Sequence, residues 1–547
     1  MMKKFMSLIL AISLCASLLA GCGKAKEEDE KVTSTKTQTN QETQESENQE
    51  NQEQTTETSQ YGDTGGLTLP LVDKPTTITW MLPSSVQDLV NKDVIKEIEA
   101  RTGVTLDIQS YPLTSYGDKL KITLASGSIP DIITGGNLSE INNLGGQGAF
   151  APINQYLDSL PNFKSLYADN AENNWVMKSY SDNEGNIYTW PVYGSSRDVN
   201  HGFLYRKDIF EKHGMKEWTT TEEFYQALKQ LKELYPDSIP YVSKTQDGIF
   251  KDWAYGWGIG NTTFPTYYDE ATKTWKLATT QPEFKDMIDF MKKLYNEGLL
   301  DPEFITDTAA SWTAKMTAEN TSFVTFDWIG RLDMFSEQVK ETIPTYDLRY
   351  GNPVGPTGHV RTLPKISNFG IAVANGKNAE VALKVLDYLT SPSGSELVTL
   401  GIEGKHYTMD ANGNVTYPNI TDVEKIDITT LEDRYGAWVE GMYLRVDPRS
   451  TYFDYTEKEQ EAQDKINNGM KYEAIDPILK FTDEETTKVA ELTTSIQKAG
   501  VEFAVQYVLD KNYGDAQWNE WIANAGKLGA PELLDVYNTA QSRYDAE

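Results

Sequence analysis

Cysteine is almost absent from this chain of 547 residues, which has only Cys15 and Cys22. Cys15 lies inside an apolar N-terminal segment of the kind that secretion removes, so the mature chain would keep a single thiol. Internal disulfides, zinc sites built on several cysteines and CxxC redox chemistry are therefore excluded. A folded part of several hundred residues buries enough apolar surface to be stable without such links.

Positive charge is also scarce. Lys and Arg number 50 against 81 Asp and Glu, which gives a formal net charge of −31. This charge would repel nucleic acid and anionic lipid, so no nucleic-acid partner is expected. Solubility at an exposed cell surface explains the acidity better than a specific acidic site does.

Recognisable catalytic motifs are missing as well. There is no Gly-x-Ser-x-Gly elbow, no HExxH and no Walker loop, and none of the four histidines lies within metal-ligand spacing of another. We therefore expect no enzyme, no cofactor and no metal site. A glycoside hydrolase needs only two carboxylates about 5–9.5 Å apart, so an anchored hydrolase stays open as an alternative.

The N-terminus resembles the signal peptide of bacterial lipoproteins. Two lysines precede an apolar run that is too short to span a bilayer, and Leu19-Ala20-Gly21-Cys22 is similar to a lipobox. The resemblance implies that residues 1–21 are removed and that Cys22 carries diacylglycerol and a fatty acyl group such as palmitate. The protein is then expected at the cell membrane, anchored by lipid on the extracellular or periplasmic face. An ordinary secretory signal that ends in cysteine is the alternative.

Residues 22–66 have a composition typical of a disordered tether. They are rich in Lys, Glu, Thr, Gln, Asn and Ser and have almost no apolar side chains. Such a segment cannot bury enough surface to offset its ordering entropy. It would let the folded part extend some tens of ångströms from the anchor.

Apolar periodicity begins at Leu67 and first alternates between strand and helix. This βαβαβ order predicts a parallel sheet with helices on both faces and a ligand at the carboxyl ends of its strands. The predicted elements are a strand at 76–81, a helix at 86–98 that ends at Gly103, a strand at 104–108, a helix at 116–126 and a strand at 131–134.

The rest of the chain shows more helical patterns. Thr220 and Glu223 predict a capping box, and Pro282 and Gly298 predict the ends of another helix. A strand pattern returns at 369–373, a helix follows at 381–389, and the part after Thr482 is almost entirely helical. A sheet pattern that stops and then returns predicts two lobes crossed more than once by the chain.

Several segments resemble the extracellular solute-binding protein family 1 of ABC importers, in particular the lipoprotein LipO type. The resemblance runs from about Leu67 to Tyr544, and Gly401-Ile402-Glu403-Gly404-Lys405-His406-Tyr407 is its most specific part. The other similar segments are Leu124 to Ile133, Gly148 to Ile153, Gly185 to Pro191 and Tyr205 to Gly214.

The resemblance implies an α/β fold of the type II periplasmic-binding-protein class, with mixed sheets flanked by helices and two lobes that close on a ligand. It also implies a monomer that delivers a small solute, above all an oligosaccharide, to ABC permease subunits. A peptide receptor or a sensor without transport is the alternative. The expected crossings lie near 199–202, 364–368 and the hairpin 410–417. The implied division is lobe 1 at 67–200 and 366–415, lobe 2 at 201–365, and a helical remainder at 416–547 that belongs mostly to lobe 2.

The calcium loop of some relatives has no counterpart here. The corresponding segment, Tyr235 to Pro240, lacks the alternating Asp and Asn ligands. Asp410 to Asn414 is superficially similar to an EF-hand loop, but the twelfth position is Thr421 instead of Glu. A β-turn at Asn412-Gly413 explains that segment better.

Aromatic rings and planar polar groups are the residue types that bind sugars, through the ring faces and the hydroxyl edges respectively. Trp80 and Asn137 lie near the carboxyl ends of predicted strands, where ligands bind. Trp190 and Tyr193 precede the first expected crossing, and Arg197 follows them. Core packing is the alternative for each ring.

Two later segments also contain candidates for ligand contact. Trp253, Tyr255 and Trp257 alternate with the small residues Ala254 and Gly256, a composition that exposes rings, and a well-packed loop is the equal alternative. Asp327, Trp328 and Arg331 offer a carboxylate, a ring and a guanidinium together, although an i,i+4 ion pair is the plain alternative. Glu403, in the most specific segment, is a further candidate, with a structural role for it and for His406 favoured.

Overall fold

The computed structural model describes residues 60–195, 200–260, 264–423, 426–452 and 455–546. The expectations for the signal peptide, for Cys22, for most of the tether and for Arg197 lie outside these residues. The strands are β1 (Thr76–Pro83), β2 (Val104–Tyr111), β3 (Ile132–Ile133), β4 (Thr189–Tyr193), β5 (His201–Arg206), β6 (Tyr241–Val242), β7 (Thr266–Asp269), β8 (Thr274–Leu277), β9 (Val324–Trp328), β10 (Leu348–Tyr350), β11 (His359–Val360), β12 (Ile366–Val373), β13 (Thr408–Met409), β14 (Val415–Thr416) and β15 (Lys471–Tyr472).

Helices separate most of these strands. They are α1 (Asp93–Thr102), α2 (Leu113–Ser126), α3 (Leu138–Gly146), α4 (Pro161–Phe163), α5 (Trp175–Ser179), α6 (Lys207–Lys212), α7 (Thr221–Leu234), α8 (Ile249–Ala254), α9 (Pro282–Asn296), α10 (Ala309–Met316), α11 (Arg331–Val339), α12 (Ala379–Thr390), α13 (Pro392–Thr399), α14 (Ile428–Tyr435), α15 (Pro448–Tyr452), α16 (Glu457–Asn467), α17 (Asp483–Leu509), α18 (Asp515–Lys527) and α19 (Ala530–Ala546). Within the described ranges, none of these helices is both long enough and apolar enough to span a membrane.

The first sheet has the strand order β2-β1-β3-β12-β4. β1 is parallel to β2 and β3, whereas β12 is antiparallel to both β3 and β4. The predicted parallel βαβαβ unit is therefore confirmed, and the strand that the sequence predicts at 369–373 lies in the middle of the same sheet.

Side-chain alternation along β1 gives the first sheet a core on each face. Ile78, Trp80 and Leu82 belong to a large cluster that includes residues of α1 and α12. Met81 and Ile133 point to the opposite face, where they pack with residues of α2 and α3. Helices thus cover both faces of the sheet, as expected for strands that are buried on both sides.

The second sheet has the order β10-β5-β9-β6. β5 is antiparallel to β10 and β9, and β6 is parallel to β9. Its two faces pack in separate apolar clusters, one around α7, α8 and α9 and the other around α10, α11 and α16. The helices α17, α18 and α19 form a further cluster with the hairpin β7–β8.

Three backbone segments lie side by side where the chain passes between the sheets. Tyr193 N donates to Leu444 O over 2.9 Å, Val446 N donates to Tyr193 O over 2.9 Å, and Gly194 N donates to Lys365 O over 2.7 Å. The segments that contain Gly194 and Lys365 lie close to the first two crossings that the sequence predicts.

The third crossing differs from the expected position. Residues 408–416 form the hairpin β13–β14 at the place where the sequence predicts a hairpin. Gly413 N donates to Asp410 O over 3.1 Å and closes the turn, so the chain reverses there instead of crossing. After the hairpin, Tyr417 and Leu444 still pack in the first core. The two-lobe division stays a proposal, and this packing favours a last boundary near 446 over one at 415.

Candidate ligand-binding site at the two sheet edges

One edge of each sheet meets the crossing segments. In the first sheet this edge carries the carboxyl ends of β1, β3 and β4 and the start of β12. In the second sheet it carries the carboxyl ends of β6, β9 and β10 and the start of β5. Because β4 ends at Tyr193 and β5 begins at His201, only a short segment separates the two edges. Strand ends of this kind are where open α/β sheets bind ligands.

Three partly exposed rings stand at the edge of the first sheet. The rings of Trp438 and Tyr443 are 5.2 Å apart, and Tyr443 and Phe369 meet edge to face at 6.0 Å. Gly441 has a φ of 94° and lies against Thr134, next to the end of β3, where a Cβ would come within 2.2 Å of Thr134 Oγ1. The loop therefore holds its rings close to the carboxyl end of the sheet.

Trp438 is the most unusual of the three rings. Its φ is 61°, which side chains larger than glycine rarely adopt. Its indole Nε1 is buried and has no hydrogen-bond partner among the residues that the structure describes. Backbone strain of this kind is concentrated at binding and catalytic sites.

Two carboxylates lie near these rings. Burial raises the pKa of Glu440 above its ordinary value. Burial also raises the pKa of Glu432, with a further contribution from Glu440, although Ser84 Oγ opposes the shift by donating to Glu432 Oε1 over 2.8 Å. This edge can therefore accept hydrogen bonds from ligand hydroxyls.

The edge of the second sheet is built around Asp327. Lys244 Nζ lies 2.6 Å from Asp327 Oδ2, and Arg331 Nε lies 3.3 Å from the same oxygen. The backbone N of Trp328 donates to Asp327 Oδ1 over 2.7 Å. Both cations also lie over the Trp312 ring, at 4.5 and 5.4 Å from its centroid. The i,i+4 ion pair that the sequence left open is present, and it belongs to a larger charged cluster.

Further charged groups extend this cluster. Burial, followed by the charge of Arg361, lowers the pKa of His201 to about 4, so its ring is neutral at pH 7. Burial raises the pKa of Asp252 to about 6, against the opposing effects of Thr245 and Arg361. Asp252 Oδ2 is buried and has no hydrogen-bond partner in the described part of the chain.

Three of the predicted tryptophans are core residues. Trp80, Trp190 and Trp253 are at most 1% exposed. Their indole N–H groups donate inside the protein, to Thr134 Oγ1 over 3.2 Å, to Thr390 Oγ1 over 3.0 Å and to Tyr241 Oη over 2.9 Å. The strand that contains Trp80 ends close to where the sequence predicts, but Trp80 and Trp190 point into the first core, and Trp253 packs from α8 into the core of the second sheet.

The segment around Trp257 also packs where exposed rings were expected. Trp257 is 5% exposed and stacks on Trp253 at 6.0 Å. Gly256 permits the close approach of a second segment, since a Cβ there would come within 2.0 Å of Val354 O. The small residues serve close packing of the backbone and do not expose the rings.

The remaining candidates lie at different places. Asn137 is exposed just after β3, and its Oδ1 caps α3 by accepting from Glu140 N over 2.8 Å. Tyr193 is half-buried in the crossing itself, and Trp328 is half-buried at the edge of the second sheet. Glu403 is exposed in a loop that His406 fixes.

His406 explains the structural role of the most specific segment. It stacks on Tyr435 with the ring centroids 4.0 Å apart, and its Nε2 lies 3.0 Å from Asp93 Oδ2. Its Nδ1 accepts from Ile402 N over 3.1 Å. The loop therefore joins the start of α1 to the end of α14.

Several residues at the two edges were not predicted. They are Phe369, Trp438 and Tyr443 on the first edge and His201, Lys244, Asp252 and Arg361 on the second. A usable signal was present in Trp438-Val439-Glu440-Gly441-Met442-Tyr443, where two aromatic residues flank an acidic residue and a glycine. Among the residues that the structure describes, no group of three or more His, Cys, Asp or Glu side chains could hold a metal ion.

A separate cavity of about 650 Å³ lies beside the crossing segment Thr362 to Ile366. Trp175 lines it from the first core, and Tyr472 and Tyr544 line it from the C-terminal part. It shares only the crossing segment with the two sheet edges.

Two mixed sheets flanked by helices, joined by three crossing segments that meet at one edge of each sheet, define the class of two-lobed solute-binding proteins. The chain belongs to the bacterial extracellular solute-binding protein family, whose model matches residues 83–396, more than half of the chain. The family and fold expected from the sequence are confirmed, and an extracellular, membrane-associated location agrees with the family.

Similar proteins include two relatives from Bacillus subtilis (strain 168). The chain is 25% identical to lipoprotein LipO over 480 residues, which cover 82% of this chain and 89% of LipO. It is 23% identical to the polygalacturonan/rhamnogalacturonan-binding protein YtcQ over 495 residues, which cover 86% of this chain and 93% of YtcQ.

One solved structure with the same fold is an HMO-binding, ABC-transporter-associated solute-binding protein from Bifidobacterium longum infantis. Its TM-score to this chain is 0.64 at 18% sequence identity, and the match covers 86% of this chain and 99% of that one.

Proposed function

We propose that this protein is a lipid-anchored receptor that binds an oligosaccharide between the two sheet edges and presents it to an ABC permease. The rings at the first edge and the charged cluster at the second carry the proposal. Sugars bind through flat apolar faces on aromatic rings and through hydroxyl groups on planar polar side chains. The B. subtilis relative YtcQ and the B. longum structural neighbour are both named for carbohydrate ligands, which supports the assignment.

The proposed mechanism is closure of two lobes on the ligand. The crossing segments that include Gly194, Thr362 to Ile366 and Val446 would act as the hinge. Binding favours the closed form by the difference between the ligand's affinities for the two forms. A permease that recognises the closed form would then receive loaded receptors. The protein would act as a monomer, with Cys22 as its anchor.

Screening by thermal shift tests the ligand class. A ligand at one hundred times its dissociation constant stabilises the folded state by about 2.7 kcal/mol, so a bound glycan raises the melting temperature. The panel contains neutral and acidic oligosaccharides, with peptides of similar mass as controls. The assignment of a sugar ligand fails if a peptide raises the melting temperature and no glycan raises it.

The same glycans test the absence of catalysis. A receptor returns each oligosaccharide intact after long incubation, as chromatography would show. Cleavage would favour a hydrolase, for which Glu432 and Glu440 would be the first carboxylates to replace, because burial raises the pKa of both.

A further inference from the structure

Positively charged side chains are concentrated at the edge of the second sheet, although the protein as a whole is strongly acidic. We call Lys244, Lys251, Arg331 and Arg361 the basic patch. Two carboxylates, Asp252 and Asp327, lie among these four cations. In a chain with a net charge of −31, a cationic surface at a ligand-binding edge is a specific feature.

The two carboxylates do not neutralise the basic patch. Asp327 is shared by Lys244 and Arg331 through a single oxygen. Arg361 and Lys251 make no hydrogen bond or ion pair with any described residue. Lys251 is exposed to water, but Arg361 is half-buried, and a half-buried guanidinium without a counter-ion is costly.

The neighbours of Arg361 leave its charge available. His201 is neutral, because burial and Arg361 together lower its pKa to about 4. Asp252 lies near Arg361, and burial raises the pKa of Asp252 to about 6, so it is mostly ionised at pH 7 and offsets part of the positive charge. Its Oδ2 has no hydrogen-bond partner among the described residues, however, and the carboxylate makes no hydrogen bond or close ion pair with the guanidinium, whose N–H groups stay available to a ligand.

The backbone holds Arg361 at the hinge. It directly follows β11 and precedes the crossing segment that begins at Thr362. Thr357 Oγ1 donates to Gly256 O over 2.9 Å, and Gly355 packs against the same glycine, so this segment is fixed on the second lobe. Arg361 is thus placed where the two edges meet, with its position set before any ligand arrives.

We propose that the ligand is an acidic oligosaccharide, and that Arg361 binds the carboxylate of a uronic or similar sugar with the rest of the basic patch around it. A guanidinium matches a carboxylate through two parallel hydrogen bonds. The rings of the first edge would take the apolar faces of the same sugars. This inference rests on the proposed carbohydrate function and specifies its substrate class.

Methyl esters provide a matched test, because esterification removes the charge of a sugar carboxylate and changes little else. Calorimetry compares oligogalacturonate, oligoalginate and sialyl-oligosaccharides with their methyl esters, alongside neutral oligosaccharides of equal length. At least one acid is expected to bind ten or more times tighter than its ester, and to lose this preference as salt screens the exposed part of the basic patch.

Arg361→Gln is the decisive variant. It should lower the affinity for the acid at least tenfold and the affinity for the ester by a much smaller factor, so the preference disappears. Lys377→Gln removes the same charge from an exposed residue beyond the far end of β12 and should leave the preference intact. The melting temperature of each unliganded variant shows that the fold is retained.

Three outcomes overturn the inference while the receptor function stands. In the first, a neutral glycan binds and no acidic glycan binds. In the second, acid and ester bind equally, and in the third, Arg361→Gln weakens the binding of acid and ester by the same factor. If no glycan of either kind binds and a peptide does, the proposed function itself fails.

Discussion

At the scale of single residues, Trp438 shows how binding and stability compete. Its left-handed backbone costs about 1–3 kcal/mol, and its buried N–H without a partner adds to this cost. If stability were the only requirement, another residue in place of Trp438 would make the folded state more stable. The strain is explained if the ring contacts a ligand and its Nε1 finds an acceptor there.

Trp438→Ala tests this explanation. Loss of the ring should lower oligosaccharide affinity about tenfold or more, since stacked aromatic contacts contribute ~0.5–1.5 kcal/mol beyond the area they bury. Trp518→Ala removes another half-buried ring, on α18, and should leave the affinity unchanged. Calorimetry with one glycan measures both variants, and equal losses would contradict a role in binding.

Asp387 is a buried carboxylate with a structural role. Its Oδ1 accepts from Phe163 N over 2.7 Å, and its Oδ2 accepts from the backbone and side chain of Asn162. Burial nevertheless raises its pKa from 3.8 to about 6. The folded state therefore holds the proton more tightly than the unfolded state, so this group stabilises the fold most below pH 4 and loses that contribution as the pH rises to 6.

Asp387→Asn removes this titration. As the pH falls from 7 to 4, the native protein should become more stable relative to the variant by up to about 3 kcal/mol in the free energy of unfolding. Urea titrations at several pH values measure this difference. A difference that is constant with pH would show that Asp387 has no raised pKa.

Among the predicted site residues, the charged side chains Asp327 and Arg331 lie at a sheet edge, whereas most of the predicted rings are buried in the cores. Asp327 and Arg331 lie at the second edge because a short strand followed by a helix places them there. Trp80, a predicted ligand contact, is buried in the first core because a strand alternates its side chains, and only the packing of helices decides which face is covered. Arg361 is not apparent from sequence because its importance arises from missing counter-ions, which are a property of the folded surface.

At the scale of elements, α17 depends on Thr482, the N-cap residue that directly precedes it. Thr482 Oγ1 accepts from Glu485 N over 3.2 Å, while Glu485 Oε2 accepts from Thr482 N over 2.9 Å. This capping box satisfies donors that the helix itself leaves open. The sequence predicts a helical segment from this point, and the structure confirms it.

Thr482→Ala should lower the free energy of unfolding by about 1 kcal/mol, which is the usual cost of losing a cap. Thr494→Ala, an exposed position inside the same helix, should leave the stability unchanged or slightly higher, since alanine is the better helix former. Denaturant unfolding compares the two variants. Equal effects would mean that the capping box contributes nothing.

Element prediction succeeded where local pattern and topology agree. The βαβαβ unit is confirmed, but the helix predicted from Val86 begins only at Asp93, after a short 3₁₀ turn. Asp88 has a φ of 55°, and a left-handed residue cannot lie inside a right-handed helix. β5 and β10 were not predicted, because their apolar patterns become strands only by pairing within a sheet from distant parts of the chain.

At the scale of the whole molecule, anchor and receptor are expected to be separable. The described fold starts at residue 60, and its first strand starts at Thr76. Cys22→Ser should therefore release the protein into the medium while oligosaccharide affinity stays within twofold of the native value. Cell fractionation followed by calorimetry measures both properties. Retention of the variant at the membrane would contradict lipid attachment at Cys22.

Ligand binding should also make the molecule more compact. If the crossing segments act as a hinge, a saturating glycan moves the two lobes together and lowers the radius of gyration in small-angle X-ray scattering. Arg361→Gln should need a higher concentration of an acidic glycan to reach the same compact form. An unchanged scattering curve at saturation would favour a rigid site.

The position of β12 sets the order in which the two sheets can be completed. All four strands of the second sheet come from residues 201–350, so that sheet can assemble as soon as this stretch has been synthesised. The first sheet cannot, since β12, at residues 366–373, must enter between β3 and β4. A chain truncated before residue 366 would leave two unpaired strand edges open to aggregation. The earliest strands to be made must therefore wait for a later one, so folding of the first sheet is non-local and slow.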